Sequence, residues 1–94
     1  MSAEAAKLAD VLTQVAQLLT SSQESDWTPF EPKEIVAVLE RELFSLRTDN
    51  KLVNPTELAM LFAPTGPIQE ISMANNWSKE YLALSEQVDA LARD

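Results

Sequence analysis

Leu8, Val11, Leu12, Val15, Leu18 and Leu19 recur at steps of three and four positions. That spacing puts their side chains on one face of an α-helix. The period returns in Ile35, Val38, Leu39, Leu43 and Leu46, and again in Tyr81, Leu84, Val88 and Leu91. No segment alternates apolar and polar residues as a strand would, and the chain contains a single glycine. A chain with this one period must bury its apolar stripes by packing helix on helix.

Punctuation residues set the limits of the helices. Thr20 to Pro32 collects serines, acids and two prolines, the composition of a connection. Pro32 suits a first helical turn, with a capping box from Thr28 to Glu31 as an alternative start. Asn54, Pro55 and Glu57 read as cap, first residue and first-turn acid. Pro64, Gly66 and Pro67 break the pattern, with Gly66 suited to a positive φ. Asn75 and Asn76 suit a helix end, Ser78 a following cap, and Trp77 with Leu82 a hydrophobic staple. The spacing predicts helices over residues 3–20, 32–47, 55–62, 67–74 and 79–92. The fold expected is all-α: a small single-domain helical bundle of three longer helices and two short ones. Val36 and Phe44 widen the stripe of the second helix, and Glu42 falls at its edge. Trp27 and Phe30, in a loop, are expected to fold over the core.

Composition excludes most chemistry. Histidine and cysteine are absent. Triads built on histidine, thiolate nucleophiles and the usual zinc sites therefore have no residues to form them. One glycine does not make a phosphate loop, and no acidic calcium loop is present. Glu31 with Glu34, or Glu40 with Glu42, are nominees for an acid–base pair, but a solvated acidic helix face is the reading preferred for them. The expectation is a protein that is not an enzyme and uses neither cofactor nor metal.

The net charge is −8. Nucleic acid and anionic membranes are poor partners for such a surface, and no lysine–arginine run offsets it. A leader sequence and a membrane span are not expected, and the lack of cysteine fits the cytoplasm. The charge suits either solubility or another protein with a basic surface. The functional expectation is a small acidic protein-binding module, such as an inhibitor or immunity-type protein; the alternative is a structural helical homodimer or a subunit of a larger assembly. Two clusters are candidates for partner binding. The first is Glu24, Asp26, Trp27, Glu31 and Glu34, where acids surround aromatics as at interface anchors. The second is Gln69, Glu70, Asn75 and Asn76, which serve either as a polar recognition surface or only as a joint between helices. The broad apolar face of the first helix, with Ala5, Ala9 and Ala16, either packs within the chain or pairs with a symmetric copy.

Overall fold

In the computed structural model, residues 2–26 and 28–92 are described. Five helices follow one another: α1 (Ala3–Thr20), α2 (Pro32–Asp49), α3 (Pro55–Phe62), α4 (Pro67–Ala74) and α5 (Ser78–Ala92). Among the described residues there is no strand, so the protein is all-α.

The first helix is central. Ser2 caps it, its Oγ accepting the Ala5 N–H at 3.1 Å, and the helix then packs against both α2 and α5. Ala5, Leu8, Ala9, Val11, Leu12, Val15 and Leu19 are all buried. The broad apolar face of α1 is thus covered within the chain. Leu12 and Leu19 are completely buried; each contributes about 2 kcal/mol by leaving water, more than the ~1 kcal/mol typical of a cap. Burial, not capping, holds α1 in place.

Helix α2 begins at Pro32, as the first-turn proline predicts. Glu31 occupies the cap position, and Glu34 Oε1 accepts the Glu31 N–H at 2.9 Å. The earlier start at Thr28 is not used; Thr28 Oγ1 instead accepts the Phe30 N–H at 3.3 Å. The helix also runs two residues past the expected Arg47. Asn50 stops it in the left-handed conformation, φ 60°, and donates its N–H to the Leu46 carbonyl. Asparagine tolerates that conformation better than most side chains.

Helices α3 and α4 keep the expected bounds, and Asn54 caps α3 by accepting the Glu57 N–H at 3.0 Å. The corner between them departs from expectation. Gly66 has φ −81°, and the positive φ belongs to its neighbour Thr65, at 63°. Gly66 is needed for space instead, because a Cβ there would lie 2.8 Å from the Ala63 carbonyl oxygen and 2.9 Å from that of Met60.

Helix α5 starts at Ser78 itself, so Ser78 is not its cap. Trp77 stands just before it, donating its N–H to the Ser72 carbonyl and accepting from the Tyr81 N–H, both at 2.9 Å. The staple does not form. Trp77 is buried while Leu82 is 56% exposed. The indole turns toward the first loop, where Nε1 donates to Ser22 Oγ at 2.9 Å. A buried indole needs a partner for its N–H, and this one fixes the ring.

Tyr81 closes the base of the core. Its hydroxyl donates to the Phe62 carbonyl at 2.8 Å, tying α5 to the end of α3. Burial raises the phenol above its ordinary value of 10.0, against a smaller opposing effect from a hydrogen bond with Ser85. Because the folded-state value is the higher one, Tyr81 contributes stability fully below the unfolded value. That contribution is lost as pH rises through the folded value. Denaturation curves measured at increasing alkaline pH should show the wild type losing stability faster than Tyr81→Phe. Equal losses in the two proteins would refute the assignment. Tyr81 is the sole tyrosine, so phenolate absorbance reports it alone.

Candidate functional site

The candidate site follows from where α3 sits. Helix α2 turns its buried face to α1, while α3 packs on α4 and α5, leaving a groove between α2 and α3. The groove has a volume of about 460 Å3 and is lined by Phe30, Glu34, Val38, Glu57 and Met60, with Ile35 and Leu61 beneath. Phe30 is 42% exposed and Met60 68% exposed. The expectation that Phe30 folds over the core is therefore wrong. Phe30 precedes the helix cap at Glu31, and the core above Ile35 is already closed. The expectation for Trp27 lies outside the described residues.

A buried carboxylate anchors the turn at one end of this groove. Glu42, expected at the edge of the α2 stripe, is completely buried. Its Oε1 accepts the Val53 N–H at 3.1 Å and its Oε2 the Asn54 N–H at 3.4 Å. Those two amides lie in the α2–α3 turn, so Glu42 fixes where α3 begins. Across the surface above it, Arg41 pairs with Glu57 and bridges the two helices. Phe44, expected to widen the α2 stripe, is 70% exposed on another side of the helix. It does not line the groove.

The structure separates the first cluster of expected partner-binding residues. Glu34 lines the α2–α3 groove. Glu24 and Glu31 line a different, shallower depression at the end of α1, together with Lys33 and Glu40. Glu31 is paired there with Lys33 at 3.2 Å. Asp26 is exposed in the loop between α1 and α2, and Trp27 lies outside the described residues.

The second cluster divides as well. Gln69 Oε1 accepts the Thr65 N–H and shapes the α3–α4 corner. Glu70 is half-buried on α4. Asn75 acts as a clamp: its Oδ1 accepts the Gln23 N–H at 2.9 Å and its Nδ2 donates to the Gln23 carbonyl at 2.8 Å. Nδ2 also reaches the Ile71 carbonyl at 2.9 Å. Every group of the Asn75 amide is thus engaged in holding the first loop to α4. Asn76 is exposed at φ 63°. The joint accounts for Gln69 and Asn75.

Sequence reasoning weighs Phe30 only as an aromatic beside the first acidic cluster, preferring to bury it, and does not nominate Glu57 or Met60 as site residues. A signal was present for Met60, since placing Leu58, Leu61 and Phe62 inward leaves residue 60 facing out. The nominated carboxylate pairs do not converge on a cleft: Glu42 is buried beneath the α2–α3 turn, whereas Glu40 is exposed. Among the described residues, no three acidic, histidine or cysteine side chains gather as a metal site would require. No helix formed by them is long and apolar enough to cross a membrane. Comparison with family models, curated proteins and solved structures finds no match.

Proposed function

We propose that this protein is a non-catalytic binding module whose α2–α3 groove receives an apolar side chain from a partner protein with a basic surface. One observation carries this reading. Two large apolar residues, Phe30 and Met60, stand exposed on either side of a groove whose charged lining residues are Glu34 and Glu57, the second already paired with Arg41, so that Glu34 is the acid left to meet a basic partner. Interface anchors combine those features: an apolar centre that excludes water and a charged rim that steers the partner. The net charge of −8 extends the same attraction over the whole surface. Charge and small size support an inhibitor or immunity-type role within this class. A homodimer or assembly subunit would have to pair through other surfaces than the apolar face of α1, which is covered within the chain.

The test is capture from extract of the source cells, using the full chain and the double variant Phe30→Ser, Met60→Ser. The expected result is a basic protein retained by the wild type at low salt and released as salt rises. The double variant should bind it at least ~30-fold more weakly, the loss of an anchor worth about 2 kcal/mol. A partner bound equally by both proteins and unaffected by salt would overturn the proposal. Both replaced side chains are exposed, so folding should survive, and a thermal melt verifies this.

A further inference from the structure

Helix α3 has a second open flank. On the side away from α2, a trough of about 530 Å3 runs between α3 and α5. Phe62, Tyr81 and Val88 form its buried floor, with Ala59 and Leu82 exposed on its walls. We infer that this trough is a second docking groove, for a cationic amphipathic helix of a partner protein.

Three observations point to that occupant. The first is the uncovered apolar wall. Trp77 turns to Ser22 instead of pairing with Leu82, and Leu82 remains 56% exposed. The second is charge: among the described residues, the charged side chains lining the trough are acidic, with Glu86 beside the exposed Leu82 wall and Asp89 further along, and none is a lysine or arginine. The third is shape. A trough between two helices accepts the apolar face of a third helix, whose flanking cations then meet the acidic lip. A second copy of this chain fits poorly, because it would bring fifteen acidic residues against seven basic ones to an acidic lip. The inference does not depend on the α2–α3 groove, because the two grooves share no lining residue.

The test uses the isotope-labelled full chain and two synthetic probes: an amphipathic helical peptide of leucine and lysine, and its leucine–glutamate counterpart. Amide resonances of Ala59, Leu82, Ser85 and Glu86 should shift on titration with the lysine peptide and stay fixed with the glutamate peptide. Leu82→Ser should weaken binding by about tenfold or more, as expected when an interface contact worth at least ~1.4 kcal/mol is removed. Glu86→Lys, which leaves the apolar walls intact, should weaken binding and flatten its salt dependence. Phe44→Ser removes an exposed aromatic outside the trough, so it controls for general stickiness and should change nothing. Phe30→Ser should likewise leave this binding intact, which separates a failure here from a failure of the α2–α3 proposal. Shifts spread over the whole surface, equal binding of both peptides, or unchanged affinity in Leu82→Ser would overturn the inference.

Discussion

Replacing Glu42 with alanine should lower the stability of the folded protein by about 2–3 kcal/mol, because it strips two part-buried turn amides of their acceptor and empties the place of a fully buried side chain. The Val53 and Asn54 N–H groups have their acceptors on this one carboxylate. Each buried donor left unsatisfied costs about 1–3 kcal/mol. A domain of this kind has only about 5–15 kcal/mol in total. The neighbouring ion pair is a minor contributor by comparison. Arg41 lies 3.8 Å from Glu42 Oε1 and is itself 47% exposed although Glu42 is fully buried, and a pair this long and solvated on one side contributes about 1 kcal/mol or less. Arg41→Met should therefore change stability by less than about 1 kcal/mol, and Glu42→Gln should fall between the two. Glutamine keeps one carbonyl oxygen for one turn amide but presents an N–H₂ group to the other. Urea denaturation gives the ranking, and hydrogen exchange gives the cause. The Val53 and Asn54 amides should lose protection in Glu42→Ala before the core amides of α1 do. If Glu42→Ala left those two amides protected, the assigned role would be wrong. The consequence reaches the candidate site, because the Glu42 carboxylate fixes the turn from which α3 departs. A variant that frees this turn should disorder Asn54 and Glu57 on one wall of the α2–α3 groove, even where the bundle persists.

Helices were legible in the sequence because their signals are local. The three- and four-residue period of α1, and the Asn54–Pro55 start of α3, depend only on neighbours along the chain, and both reappear in the structure. The environment of single side chains depends on what lies across the fold. Glu42 occupies a stripe position where a leucine would pack, and it is buried because the next turn supplies amides to it. No feature within α2 announces that. Phe30 and Phe44 are apolar by composition, yet the core beside them is already filled by Ile35, Leu39 and Leu43. Trp77 had two places to go, over Leu82 or against Ser22. The indole N–H decided between them, since only the serine offers an acceptor. Local pattern thus specified the bundle but not the candidate site. The grooves flanking α3 are gaps between separate elements, α2 on one side and α5 on the other, and no single segment encodes a gap.

Gly66→Ala should destabilise the protein by about 2–3 kcal/mol, the range of an inserted methyl that cannot be accommodated without backbone movement. The usual argument for a glycine between two prolines is its tolerance of positive φ. That argument fails here, since Gly66 lies at φ −81° and ψ 179°, a conformation open to alanine. The constraint is contact. The added Cβ would meet the carbonyl oxygens of Ala63 and Met60 at 2.8 and 2.9 Å, and that of Leu61 at 3.3 Å. These are backbone atoms at the end of α3, so relief requires shifting the helix itself rather than rotating a side chain. A paired experiment separates the two explanations. Thr65 holds the positive φ, 63°, despite its β-branched side chain, and such a conformation costs a non-glycine residue about 1–2 kcal/mol. Thr65→Gly removes that strain but gains about 0.5–1 kcal/mol of unfolded-chain entropy. It should therefore be neutral or stabilising by up to about 1 kcal/mol, while Gly66→Ala is clearly destabilising. Equal and opposite results, with Thr65→Gly harmful and Gly66→Ala harmless, would mean that the positive φ sits one residue further along the corner than described. Because the end of α3 forms one end of the α3–α5 trough, displacing it should also weaken the leucine–lysine peptide. Thr65→Gly should leave that binding unchanged.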